Sequence, residues 1–243
     1  MRLDKYLADM GIGTRSEVKH HIHKGLVTVN GALPTGPNQH VQPGADEIFY
    51  QGEPVSYQEY EYFMLNKPQG CVSAVTDPQH QTVLDLIDKK NRKDLFPVGR
   101  LDRDTEGLLL ITNNGRLCHN LLAPGKHVPK TYFARISGNV TDEDTAQFAK
   151  GINIGEQRDT LPAELQILSH DGTFSEITLT ITEGKFHQVK RMFQAVGKEV
   201  VYLKRISMGN LKLDESLQPG EYRQLTEEEI RLLGQTKENT KRC

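Results

Sequence analysis

The sequence predicts an α+β protein in two parts: a small N-terminal module of two helices plus a small sheet, and a larger mixed domain on a mainly antiparallel sheet. Three observations predict it. Strand-like and helix-like stretches are interspersed without the regular βαβ alternation that parallel sheets require. Residues 174–182 alternate cleanly, with Ile177, Leu179 and Ile181 opposed to Glu176, Thr178 and Thr180, as a half-buried antiparallel strand does. A polar stretch at 51–60, holding one Gly and one Pro, reads as a linker between the parts. The expected division is 1–50 for the module, 51–60 for the linker, 61–234 for the larger domain and 235–243 for a flexible tail.

Taken in order, Leu3, Tyr6, Leu7 and Met10 recur at helical spacing, and Gly11 and Gly13 stop that helix. Thr14-Arg15-Ser16-Glu17 is a capping box opening a second helix, with Val18, Ile22 and His21 inward and Gly25 at its C-terminal cap. Residues 26–29 form a short strand, Asn30-Gly31 a hairpin turn, and a second strand is expected near 46–50. In the larger part, strands are expected at 62–65, 108–112, 131–136, 174–182 and 200–206. Helices are expected at 83–87, 142–150, 186–196 and 226–233, the last opened by the capping box Thr226-Glu227-Glu228-Glu229. No internal repeat is visible.

The 243 residues, 36% apolar, suffice for one large domain or a medium one plus a small one. Thirty Lys and Arg against 32 Asp and Glu give a formal charge of −2, which excludes a histone-like polycation. No apolar run approaches the roughly 20 residues needed to cross a bilayer, and the N-terminus lacks an apolar leader core. Cys71, Cys118 and Cys243 lie far apart and form no CxxC pair, so a reducing cytoplasm is the expected compartment. None of the nine histidines shows metal-ligand spacing, and no P-loop or nucleotide cradle is present, so neither metal nor cofactor is expected. The chain is expected to act as a monomer.

Charge is nevertheless unevenly placed. Between Gly184 and Lys212 stand Lys185, Lys190, Arg191, Lys198, Lys204, Arg205 and Lys212 against Glu199 alone, a surplus of six positive charges over 29 residues. Such a stretch suits phosphate contacts, with a merely solvated face as the plainer reading. The N-terminal module adds Arg2, Lys5, Arg15, Lys19 and Lys24, with His20, His21 and His23 beside them.

The densest polar stretch is Gly99-Arg100-Leu101-Asp102-Arg103-Asp104-Thr105-Glu106-Gly107, which runs directly into the apolar strand 108–112. Charged groups at the rim of a buried strand sit where a rigid scaffold holds them and a ligand reaches them. Three other readings fit the residues alone: a loop of turn hydrogen bonds, an Asp-x-Asp site for a divalent cation, or a glycosidase acid/base pair. The last is disfavoured, because adjacent positions on one loop rarely reach the separation that chemistry needs.

Gly99-Arg100-Leu101-Asp102, with Asp104-Thr105 and Gly107-Leu108, resembles the signature of pseudouridine synthases. Asn66-Lys67-Pro68-x-Gly70 resembles that family's first motif, Lys130-Thr131-Tyr132 its tyrosine-bearing strand, and residues 183–192 its third motif. Arg2-Leu3-Asp4-Lys5-Tyr6-Leu7, Thr14-Arg15-Ser16 and residues 27–31 resemble an S4 RNA-binding domain. Together these cover nearly the whole chain in the family's order. The chain is most similar to the RsuA-type branch, and the string 63–70 resembles its small-subunit enzymes, which implies the 16S rRNA uridine at position 516 as the target. One departure is Val128-Pro129 before Lys130, where relatives often carry an acid.

The resemblance implies isomerisation of uridine to pseudouridine by a base flipped from its helix, with no metal, nucleotide or redox equivalent consumed. It implies Asp102 as the catalytic carboxylate. Burial alone favours a neutral acid, so a fixed cation must keep it ionised, and Lys190 matches that position, with Arg191 the fallback. Tyr132 matches the tyrosine that stacks on the extruded base. Lys67, Arg100, Arg103, Lys185, Arg191, Leu203 and Arg205 are expected around the substrate. Arg2, Lys5, Arg15, Lys19 and Lys24 are expected to dock RNA, and His187 to cap or pack a strand–helix junction. The implied partner is rRNA, 16S before 23S, free or partly assembled, with no membrane involved. A non-catalytic ribosome-associated RNA-binding protein is the reading from another class.

Overall fold

The computed structural model describes residues 1–88, 90 and 92–234. The expected tail at 235–243 lies outside the described residues. Contacts divide the chain into two compact units, Met1–Glu61 with Asp88–Leu95, and Tyr62–Ile87 with the chain from Phe96 onward.

In the first unit, α1 (Leu3–Asp9) and α2 (Arg15–His23) pack beside a three-stranded antiparallel sheet of β1 (Val27–Val29), β2 (Ile48–Tyr50) and β3 (Glu53–Pro54). The periodic residues form its core: Leu3, Tyr6, Leu7, Val18, Ile22, Val27 and Ile48 are all buried together. The capping box is formed as expected, Thr14 N–H donating to the Glu17 carboxylate at 2.7 Å and Glu17 N–H to the Thr14 hydroxyl at 3.3 Å. Asn30 and Gly31 both take left-handed φ, 51° and 78°, and Val29 and Ala32 exchange backbone hydrogen bonds across them. That is the two-residue turn the Asn-Gly pair favours.

Two expectations about this unit are corrected. Residues 51–60 do not form a free linker. Glu53–Pro54 pair with Phe49 and Tyr50, and Tyr57 lays its ring 5.0 Å from Tyr6 and donates to Asp9. The segment Asp88–Leu95, expected in the larger domain, belongs to the first unit. Its Arg92 is 8% exposed, forks onto Asp94 at 2.9 and 2.6 Å, lies 3.6 Å from Asp9 and gives its backbone N–H to Glu61. A buried guanidinium needs such partners, and one of them, Asp9, lies far away in sequence.

The second unit contains β4 (Tyr62–Lys67), β5 (Phe96–Pro97), β6 (Glu106–Thr112), α3 (Gly115–Leu122), β7 (Lys130–Ser137), α4 (Asp142–Phe148), β8 (Glu164–His170), β9 (Phe174–Ile181), α5 (Gln188–Ala195), β10 (Glu199–Met208), β11 (Leu211–Lys212), β12 (Tyr222–Gln224) and α6 (Glu227–Gly234). Its sheet runs β12-β4-β6-β10-β7-β9-β8, with β5 on β6 and β11 on β10. Only the β6–β10 pairing is parallel, so the sheet is mixed and mainly antiparallel. Met64, Leu108 and Leu110 face a core shared with Leu117 and Leu121 of α3 and Leu233 of α6. Phe63, Leu65, Leu109 and Ile111 alternate to the opposite face and are also buried. Central strands covered on both faces read as continuous apolar runs, as 108–111 does. Each such side chain contributes about 1.5–3 kcal/mol.

Residues 83–87 do not form a helix. Thr82 and Asp85 exchange a reciprocal pair of hydrogen bonds like a capping box, but the chain makes turns only, with Val83, Leu84 and Ile87 buried. The helix expected at 186–196 begins two residues later, leaving Phe186 and His187 outside it.

Candidate active site

The loop bearing Asp102 is held by the motif at 66–70. Lys67 ends β4 fully buried, and its ammonium donates to the carbonyls of Pro68, Asp102, Arg103 and Thr105 at 2.9–3.3 Å. Burial pushes its pKa below the ordinary lysine value. Lys67 is therefore no substrate ligand, as its motif suggested, but the post on which the loop is wound. Gly70 N–H donates to Arg103 O at 2.8 Å while Arg103 Nε returns to Gly70 O at 3.2 Å. The Ser73 hydroxyl accepts from Leu101 N–H and donates to Leu101 O. Beyond the loop, a Cβ on Gly107 would run into the backbone N and O of Arg205, so only glycine lets β6 lie this close to β10.

On that loop Asp102, with its side chain 27% exposed, has Lys190 Nζ at 3.3 Å from Oδ2 and His187 Nε2 at 3.5 Å from Oδ1. Lys190 also donates to Asp104 at 2.6 Å. Burial pushes the Asp104 carboxyl up, but the Lys190 hydrogen bond and charge outweigh it and hold its pKa below the carboxylate norm. Burial likewise works against charged Lys190, and the two carboxylates more than offset it, so its pKa is raised. One ammonium bridging two carboxylates fixes both in place. Lys190 reaches them from the first turn of α5, 88 positions after Asp102.

Tyr132 lies in the sheet register opposite Arg205, which lies opposite Gly107, so the three form one row across β7, β10 and β6. Tyr132 is 8% exposed, and its hydroxyl makes no hydrogen bond with the described residues. Leu203, one step along β10 on the same face, is buried opposite Ala134. Arg205 is 2% exposed; its Nε donates to Leu108 O, and its Nη2 has no hydrogen-bond partner among the described residues. It is a buried residue of the sheet rather than the surface phosphate ligand its sequence neighbourhood suggested. Lys130 shares the Tyr132 face, and burial with the nearby Arg205 charge lowers its pKa to about 8.

The basic stretch 184–212 is largely consumed inside the unit. Lys185 donates to the carbonyls of Arg158 and Asp159 and pairs with Glu156 at 3.4 Å. Arg191 pairs with the same Glu156 at 2.7 Å and donates to Phe186 O and Ile154 O. Lys198 is 2.8 Å from Asp144. Lys185 and Arg191, expected around the substrate, thus brace the segment 154–159, and it is Lys190 rather than the fallback Arg191 that pairs with Asp102. Lys204 and Lys212 have no ion-pair partner among the described residues. Arg100 and Arg103 beside Asp102 are exposed. In the first unit Arg2 is paired with Asp4 and Lys5 with Asp9, whereas Arg15, Lys19 and Lys24 are exposed and unpaired among the described residues.

Sequence reasoning missed Asp104 as the second partner of Lys190, Lys130 as a buried amine, and the approach of His187 to Asp102. His187 stands at the expected strand–helix junction, in the N-cap position of α5 without a side-chain cap hydrogen bond and packed on Phe186. Its left-handed φ of 47°, uncommon outside glycine, has no single-residue signature in sequence. No group of three or more His, Cys, Asp or Glu side chains converges as metal ligands would among the described residues.

This architecture is matched by known proteins. The RNA pseudouridylate synthase family model matches residues 61–195, and the S4 domain model residues 1–47. An uncharacterized RNA pseudouridine synthase, YtzG, of Bacillus subtilis (strain 168) is 50% identical over 236 residues, covering 97% of this chain and 99% of the relative. The ribosomal small subunit pseudouridine synthase A of Escherichia coli (strain K12) is 43% identical over 232 residues, covering 95% and 98%. A crystal structure of a pseudouridylate synthase superposes with a TM-score of 0.67 at 40% identity over 96% of this chain and 99% of that one. With a loop carboxylate bridged to a helix lysine on a mixed sheet, and these relatives spanning both units, the chain belongs to the RNA pseudouridylate synthase family, joined to an S4 domain.

Proposed function

We propose that this chain isomerises a uridine of small-subunit rRNA to pseudouridine, at position 516 of the 16S molecule, with Asp102 as the catalytic carboxylate. The observation that carries the reading is the Asp102–Lys190 pair, 3.3 Å apart, on a loop whose backbone Lys67 holds through four carbonyls. The reaction breaks the bond from ribose C1′ to uracil N1, turns the base within the site, and joins C1′ to C5. The C5 proton leaves and N1 gains one, so nothing else is consumed. Whichever of sugar, base or ribose proton the carboxylate meets, it must arrive ionised, and Lys190 supports that state. Tyr132 supplies a ring for the flipped uracil from the neighbouring strand.

Arg15, Lys19 and Lys24 on the S4 domain are the best-placed cations for the RNA backbone, because they are exposed and form no ion pair among the described residues. The small-subunit target is supported by the 43% identity to the Escherichia coli enzyme of that name. We place the reaction in the cytoplasm, where rRNA is made, and treat the enzyme as a monomer needing no cofactor. The test is base-resolved pseudouridine mapping of both rRNAs with and without the gene. Loss at position 516 alone supports the reading. Loss at a 23S position redirects it to that substrate, and no change in either rRNA refutes it. Purified Asp102→Asn is expected to lose activity by about 100-fold or more, with RNA affinity kept within about threefold; full activity would overturn the assignment of Asp102.

A further inference from the structure

Phe186 is 75% exposed, the highest exposure among the large apolar side chains described. A lone exposed apolar residue needs no explanation, but this one is held in a defined place. Its ring stacks on His187 with centroids 3.8 Å apart and planes 19° from parallel. His187 in turn brings Nε2 to 3.5 Å from Asp102 Oδ1. The backbone beneath is fixed twice: His187 sits at φ 47°, and the Phe186 carbonyl accepts from Arg191 Nη1 at 3.0 Å, the same guanidinium that pairs with Glu156. A strained residue kept in place by its surroundings points to a use for that geometry.

We infer that Phe186 is the stacking platform for the nucleotide next to the target uridine. This rests on the reading of Asp102 above. The target's own ribose must approach Asp102 itself, and its base has Tyr132. Phe186 is linked to the carboxylate through His187, whose ring face it covers and whose Nε2 is 3.5 Å from Asp102. Extruding a uridine unstacks its neighbour, and an exposed aromatic face recovers the energy that this neighbour loses. Stacking accepts any base, so the platform adds affinity for the opened strand without reading sequence, and purines gain most from their larger rings.

The test uses the full chain and a small-subunit rRNA transcript, with single-turnover and steady-state kinetics. Phe186→Ala is expected to raise KM about tenfold with kcat changed less than about threefold, the loss of one base stack. Phe186→Tyr and Phe186→Trp are expected to keep the native KM, and Phe186→Leu to behave like the alanine variant, since it keeps apolar bulk but no ring. In the Asp102→Asn background, 2-aminopurine beside the target uridine is expected to be quenched on binding, and Phe186→Ala to abolish the quench. An unchanged KM in Phe186→Ala, equal behaviour of the leucine and tyrosine variants, or a quench that survives the substitution each overturns the platform. If the unmodified chain makes no pseudouridine in that transcript, the function proposed above fails instead, and the two outcomes are distinct.

Discussion

Two regions of this chain are rich in cations, and folding treats them oppositely. In 184–212, Lys190 is bridged to Asp102 and Asp104, Lys185 and Arg191 to Glu156, Lys198 to Asp144, and Arg205 is buried in the sheet. On α2 of the first unit, Arg15 and Lys19, with Lys24 just beyond, stand exposed and form no ion pair among the described residues. The first region has the larger surplus in sequence and little of it left for a ligand. A run of like charge measures a potential only after the acids folded onto it have been counted.

The comparison is most severely tested by the triple variant Arg15→Glu, Lys19→Glu, Lys24→Glu. It is expected to weaken RNA binding by about 100-fold or more at moderate salt and to flatten the plot of log affinity against log salt by about 2. An unchanged slope measured by filter binding would return the docking role to the other region. Lys198→Met is expected to cost about 3 kcal/mol in urea unfolding, because Asp144, 6% exposed at its side chain, loses the partner that holds its pKa down. The same variant should leave the salt slope of RNA binding untouched, which a free phosphate ligand would not.

Lys130 gives a pH signature. Its folded pKa of about 8 lies below the ordinary lysine value, so between those two values the unfolded chain binds the extra proton and stability rises with pH. From pH 7 to pH 10 the native chain is expected to gain about 1–3 kcal/mol more stability than Lys130→Met does. Smallest is Lys185→Gln, expected to change the salt slope by less than about 0.5, since its charge is already spent on Glu156 and two carbonyls. A larger change would mean that the lysine leaves these partners for RNA.

Much of the fold was legible because its signals are local. The capping boxes at Thr14 and Thr226, the Asn30-Gly31 turn and the alternation of 174–181 each form through hydrogen bonds or faces within a few residues. Failures came where a local signal has two outcomes. Asn113-Asn114-Gly115 ends β6 as expected but also starts α3, the Asn114 side chain capping Leu117 N–H. Thr82–Asp85 looks like a helix start and makes only a turn. β8 was missed because one face of it is exposed and its sequence, Glu-Leu-Gln-Ile-Leu-Ser-His, breaks alternation at a bulge between Ile167 and Ser169. At the site, motif resemblance named Asp102, Tyr132 and Lys190, and the structure brings Asp102 and Lys190 into contact. It could not tell a lysine that grips carbonyls, Lys67, from one that faces a substrate.

The sequence by itself determined where α2 and α6 begin, the Asn30-Gly31 turn and the residues that enter the core of the first unit, because each depends on neighbours a few positions away. Only the tertiary structure decided which cations are free. An ion pair such as Lys190 with Asp104 or Lys198 with Asp144 joins residues 86 and 54 positions apart, and no spacing rule reaches that far.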